Sequence, residues 1–155
     1  MPMQALDDID LAILRSLQEN AHITTKELAY QLHLTTTPIY ERVKRLEREG
    51  YIKKYIAILD NQKLKRGLTV FCNVSLKQHT TDIGKKFVEE IIAIPEIVEC
   101  YNISGEYDFM LKILVEDMPH YQSFVMNGLG SIKNIGSAHS IFVIGEIKHS
   151  TAIPI

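Results

Sequence analysis

The stretch Thr24–Gly50, TTKELAYQLHLTTTPIYERVKRLEREG, leaves this chain few folds to choose from. It holds two short helical patterns around a tight turn, and the second pattern is strongly basic, which is the outline of a helix-turn-helix. Thr24 and Glu27 have the spacing of a capping box: the hydroxyl accepts from the amide three residues on, and the carboxylate accepts from the Thr24 amide. Leu28, Ala29 and Leu32 then share one apolar stripe. Thr35, Thr36, Thr37 and Pro38 announce the second helix, offering a hydroxyl for the cap and a proline in the first turn, where no amide donor is needed. Ile39, Val43 and Leu46 recur at helical spacing and point inward. Thr37, Glu41, Lys44 and Arg48 lie opposite, flanked by Tyr40 and Arg45. Between Arg42 and Lys54 stand six basic residues against two acidic ones, Glu47 and Glu49.

That basic excess is local. The whole chain carries a formal charge of -2, and residues 1–60 hold eight Lys/Arg against nine Asp/Glu, so contact with nucleic acid has to come from a patch and not from a general field. With 155 residues at 46% hydrophobic content, the chain can bury one good core or two small ones, and the patterning favours two. Cys72 and Cys100 are widely spaced in apolar runs and no signal peptide is evident, which fits a reducing cytoplasm. No apolar run approaches the ~18 residues of a membrane-spanning helix. His22, His33, His79, His120, His139 and His149 are scattered without metal-ligand spacing, and there is no CxxC, GxSxG, P-loop or dinucleotide fingerprint. No catalytic residue, metal or cofactor is expected, and an enzyme is disfavoured.

In chain order, residues 6–20 predict a helix opened by Asp7 or Asp8, with Ile9, Ile13, Leu14 and Leu17 buried. Tyr51–Leu59 follows the basic helix with β-rich composition and reads as a wing or a connecting strand, on which Lys53 and Lys54 could reach phosphate. The polar run Asp60–Gly67 marks a boundary, giving a DNA-binding domain over 1–60, a linker over 61–67 and a second domain over 68–155. There the period changes. Val70, Cys72, Val74 and Leu76 alternate in a strand over 68–77; a helix capped by Thr81 or Asp82 runs to Ile94; strands follow over 97–104 and 107–115 around a Gly105-Glu106 turn. A helix beginning at Asp117 or Met118 and a last strand over 135–148 complete the order β, α, β, β, α, β. The fold class is α+β, a winged helix-turn-helix followed by a ferredoxin-like βαββαβ domain with both helices on one face. Phe71, Tyr101, Ile103, Met110, Leu114, Phe142 and Ile144 are candidates for the open face, an apolar surface that sheet-on-sheet dimerisation would cover.

Three stretches resemble the Lrp/AsnC, or feast/famine, transcriptional regulators over nearly the whole chain: LDDIDLAILRSLQENAHITTKELA, LTTTPIYERVKRLEREGYI and VECYNISGEYDFMLKILVED, in that order and spacing. The resemblance implies an N-terminal DNA-binding domain and a C-terminal ligand-sensing domain, with dimers often assembling to octamers. It also implies a small-molecule effector, commonly an amino acid, bound between dimers. Carried over by position, the effector-binding candidates are the turn Ser104, Gly105, Glu106, Tyr107 and Asp108, together with Met118 and the run Ala138, His139, Ser140 and Ile141. Backbone amides of a glycine-containing turn would suit a carboxylate, and Asp108 or carbonyls an ammonium. Two departures stand out. Ala21-His22 replaces a frequent Gly-Arg, which weakens or moves one possible phosphate contact, and Ala138 replaces a frequent hydroxyl residue.

The DNA-binding candidates are Thr35, Thr36, Thr37, Pro38, Tyr40, Glu41, Arg42, Lys44, Arg45 and Arg48. In the major groove Thr37, Tyr40, Glu41, Lys44 and Arg45 would lie nearest base edges and phosphates, with Arg42 and Arg48 as backbone contacts or supports of the fold. The partners expected are double-stranded DNA, a small-molecule effector and further copies of the chain. An architectural DNA-packing protein of low sequence specificity uses the same helices and sheet and remains an alternative, as does a ligand-binding module without DNA function.

Overall fold

The computed structural model describes residues 5–155 and divides into two compact units: the residues through Ile58 together with Lys148–Ile155, and Leu59–Ile147. In the first, α1 (Asp8–Glu19), α2 (Thr25–Gln31) and α3 (Thr36–Arg48) form a three-helix bundle. Ile13, Leu28, Ala29, Ile39 and Leu46 make its core, with Ile9, Leu14, Leu17, Leu32 and Val43 packed around them. Burial of side chains of this size contributes roughly 1.5–3 kcal/mol each, enough to hold helices too short to persist alone.

The helix starts follow their caps. Asp7 accepts from the Asp10 amide while Asp10 accepts from the Asp7 amide, and Thr24 with Glu27 forms the expected box before α2. Thr35 is the N-cap of α3 but makes no side-chain cap hydrogen bond, so the hydroxyl cap anticipated there is absent. Gly50, at φ +80°, closes the helix in a conformation that a side chain would strain.

Tyr51–Leu59 is not a strand. The segment has no ladder partner among the described residues: Tyr51 and Ile52 pack half-buried against the helical core, and the rest is exposed, with Tyr55, Ile56, Ile58 and Leu59 on the surface. Its β-rich composition supplies propensity, but a lone strand leaves its amides and carbonyls to water. The final residues also depart from the expected domain limits. Lys148–Ile155 clusters with the first unit: the Gln18 side chain donates to the Ile153 carbonyl and accepts from its amide, and Arg15 Nε donates to the Ile155 carbonyl at 2.6 Å. Residues 61–67, read as a linker, belong to the second unit and fold into turns, where Asp60 accepts from the Gln62 and Lys63 amides and Asn61 from the Arg66 amide.

The second unit is an antiparallel sheet in the order β2-β3-β1-β4, built from β1 (Leu68–Leu76), β2 (Ile97–Asn102), β3 (Phe109–Val115) and β4 (Ile135–Phe142). Helices α4 (Thr81–Ile92) and α5 (Met118–Ser123) cover one face, and α5 continues through a π turn and a 3-10 turn to Ser131. Thr80, not Thr81 or Asp82, caps α4, and Asp117 caps α5. Val70, Cys72, Val74, Leu111, Ile113 and Val115 are fully buried beneath Phe87 and Ile91. The last strand stops at Phe142, short of the expected 148. Phe142 also lies on the helix side, edge-on to Tyr121 with ring centroids 5.2 Å apart, and Ile144 is beyond the strand, so neither belongs to the open face. Phe71, Tyr101, Met110 and Leu114 do face that way: the two on β3 alternate with its buried positions, and Tyr101 pairs with Met110. No helix among the described residues is long and apolar enough to cross a membrane.

Candidate DNA-binding surface and effector site

Helix α3 separates its cations by direction. Lys44 and Arg48 are exposed beside Thr36, Thr37, Tyr40 and Glu41. Lys44 Nζ lies 2.8 Å from Glu47 Oε2 and 5.8 Å from the Tyr40 ring centre, so the ammonium is shared between a carboxylate and an aromatic face. The Glu47 contact raises the Lys44 pKa, and the Lys44 hydrogen bond lowers that of Glu47. Tyr55, from the segment after α3, donates to Glu47 Oε1 at 3.0 Å; burial and then this carboxylate push its phenol up to about 12.

Arg42 and Arg45 point elsewhere. Arg42 Nη1 lies 2.7 Å from Asp10 Oδ1 and 2.7 Å from Asp7 Oδ2, and Arg45 Nη2 donates to the other Asp10 oxygen. Asp10 is buried, at 1% exposure. Its hydrogen bond, followed by that of Asp7, raises the Arg42 pKa, and Asp7 is held below the usual carboxylate range first by the Asp10 amide and then by Arg42. Sequence reasoning placed Arg45 near base edges and phosphates, gave Arg42 as a backbone contact or a support of the fold, and overlooked Asp10. The signal was present: an acid at position 10 shares the apolar stripe of Ile13, Leu14 and Leu17, and a carboxylate on a buried stripe requires a cationic partner.

At the other site, the structure gathers some of the ten effector candidates and separates others. Gly105, at φ +114°, turns the chain between β2 and β3. Ser104–Asp108 lies beside Ala138 and His139 of β4, since β1 pairs with both strands, and the Tyr107 and His139 ring centres are 6.3 Å apart. Asp108 is occupied within the fold. Its Oδ2 accepts from the Leu76 amide at 2.7 Å and its Oδ1 lies 3.2 Å from His79 Nδ1, while its carbonyl accepts from the Asn102 side chain at 2.9 Å. The role of ammonium acceptor assigned to this carboxylate therefore competes with its role in the turn.

Ser140 points to the helix side, where its hydroxyl meets that of Tyr121, whereas Ile141 pairs with Phe71 on the sheet. Met118 follows the far end of β3, a seven-residue strand spanning roughly 20 Å, and so stands apart from the turn within one chain. None of the ten lines either of two cavities among the described residues. These are a groove of about 750 Å³ in the first unit, lined by residues such as Leu14, Tyr51 and Ile56, and a smaller one of about 270 Å³ between α4 and the Ser131–Asn134 loop.

Comparison with known proteins places both units. Residues 6–53 match the model of a winged helix-turn-helix DNA-binding domain, and residues 69–153 match that of the Lrp/AsnC ligand binding domain. The Bkd operon transcriptional regulator of Pseudomonas aeruginosa is 37% identical over 153 residues, covering 99% of this chain and 100% of its own. The leucine-responsive regulatory protein of Escherichia coli is 34% identical over 154 residues, covering 99% and 94%. Among solved structures, a transcriptional regulator from Neisseria meningitidis in complex with L-Met superposes with a TM-score of 0.93 at 35% identity, covering 97% of each chain.

Proposed function

We propose that this chain, which belongs to the Lrp/AsnC family of DNA-binding transcriptional regulators, reads its target with the outer face of α3 and answers to an amino acid held by its second unit. The direction of the α3 side chains carries the first part. Thr37, Tyr40, Glu41, Lys44 and Arg48 form an exposed surface of mixed hydrogen-bonding and cationic character, as base-edge and phosphate contacts require. Arg42 and Arg45 belong to the support of that surface and not to the surface itself.

An amino-acid effector is supported by the ligand-binding domain model and by the relative solved with L-Met, which makes L-methionine the first compound to try. The turn Ser104–Asp108 with Ala138 and His139 is the proposed effector contact, its backbone amides serving the carboxylate. Met118, at the opposite end of β3, would complete such a site from another copy of the chain. The open sheet face with Phe71, Met110 and Leu114 supports a sheet-to-sheet homodimer, and further assembly to an octamer. A dimer presents two copies of α3 and so prefers a palindromic site with half-sites one or two helical turns apart. The effector acts by binding one assembly more tightly than another, within a cytoplasmic regulator.

Selection of duplexes from a random pool, followed by titration of wild type and Lys44→Glu/Arg48→Glu, tests the DNA surface. The double variant should lose at least about tenfold in affinity, since each reversal turns a phosphate contact into repulsion. Unchanged affinity would remove α3 from the interface, and a selected pool without sequence enrichment would favour DNA packing over regulation.

A further inference from the structure

Among the described residues, Asp10 is the one charged side chain that is fully buried, and it lies between Arg42 and Arg45 of the basic helix α3. Its network extends to the solvent: Arg42 also meets both oxygens of Asp7, at 2.8 and 2.7 Å, and Asp7 and Asp10 close the capping box of α1. The start of α1 and one flank of α3 are therefore a single set of charge-assisted hydrogen bonds. Such a network is weak grounds for stability, because well-packed apolar residues of similar volume do as well or better. What it supplies is direction. The Arg42 and Arg45 side chains are 26% and 18% exposed, against 52% for Lys44, and their charge is met by two carboxylates.

We propose that Asp10 is a specificity-determining positioning residue: it holds Arg42 and Arg45 against α1 and withholds their charge from the phosphate backbone. The inference rests on the reading that α3 lies against the duplex. Sequence-independent attraction grows with the number of phosphates that cations neutralise, and it supplies no discrimination. A recognition helix with four cations, Arg42, Lys44, Arg45 and Arg48, would bind any duplex well. Anchoring two of them leaves the exposed face to decide which duplex is held, and it fixes the rotation of α3 about its axis.

Binding to a random-sequence duplex between about 50 and 200 mM salt gives the number of phosphate contacts from the slope of log K against log salt. Wild type, Asp10→Asn, Arg45→Gln, Arg48→Gln and Asp10→Asn/Arg45→Gln are compared. Asp10→Asn should steepen the slope by about 0.9 for each arginine released per engaged helix, and raise low-salt affinity for the random duplex. The double variant should bring the slope back toward wild type. Arg45→Gln alone should leave the slope unchanged, whereas Arg48→Gln should flatten it by about 0.9.

A merely structural Asp10 gives a different result: lower melting temperature and weaker binding with no steepening, which overturns the inference. Should Asp10→Asn fail to fold by circular dichroism, the pair Arg45→Gln and Arg48→Gln decides. Equal flattening in both means that Arg45 already contacts phosphate and Asp10 withholds nothing. A wild-type chain with no salt-dependent binding overturns the placement of α3 itself, an outcome distinct from a normal wild-type slope that Asp10→Asn does not alter.

Discussion

Asp108 ties the β2–β3 turn to the end of β1 through both carboxylate oxygens. Removing it leaves the Leu76 amide without its acceptor, in a residue only 7% exposed, at a cost of about 1–3 kcal/mol. Asp108→Ala is therefore expected to lower the melting temperature of the sensing unit. Asp108→Asn, which retains an acceptor for that amide, is expected to restore most of the loss; equal melting of Asp108→Ala and wild type would show the bond to be dispensable. Any effect of Asp108→Ala on effector response has to be compared at matched stability. Some of this was legible in the sequence: Gly105 and Asp108 could be placed in a turn, yet the long-range partners, Leu76 and His79, could not. Asp10 differs, because its place on an apolar stripe already demanded a cation.

The helices of the DNA-binding unit depend on carboxylates in their ionised form. Asp7 in the capping box of α1, Glu27 in that of α2 and Glu47 beside Lys44 on α3 are all held below the ordinary carboxylate range by the hydrogen bonds they accept. A lowered folded value means that stability is fully present above the unfolded value, about pH 4 to 4.5, and is lost as pH falls through the folded one. The melting temperature of the full chain should thus hold from about pH 7 to about pH 5 and then fall, with the α-helical signal lost first. A flat profile down to about pH 3 would deny these contacts a stabilising role.

At this scale periodicity served well. The alternation of β1 and β3 and the apolar stripes of α1 and α3 fixed which faces are buried. Pairing was less visible: Tyr51–Leu59 has the composition of a strand, but whether a strand forms depends on a neighbour that local sequence does not specify. Caps were read to within a residue, and Thr35 shows that a hydroxyl at the right position need not bond.

For the molecule as a whole, connectivity was harder to foresee than architecture. The tail STAIPI has no periodicity, and its hydrogen bonds reach Gln18 and Arg15, which no local pattern predicts. The open face of the sheet was anticipated in outline, with Phe142 misplaced because the register of β4, which sets Phe142 opposite the buried Val70, could not be read from sequence. That face and the division of effector candidates between the two ends of β3 are the grounds for the proposal that sensing takes more than one copy of the chain, with an effector acting on how copies assemble.

The decisive measurement is the solution mass of the full chain by light scattering coupled to size exclusion, without ligand and across a panel of free amino acids beginning with L-methionine. One or more amino acids should shift the mass between discrete assemblies, with no copy smaller than a dimer in the unliganded state. A mass that stays constant across the panel, or a monomer throughout, would contradict sensing through assembly.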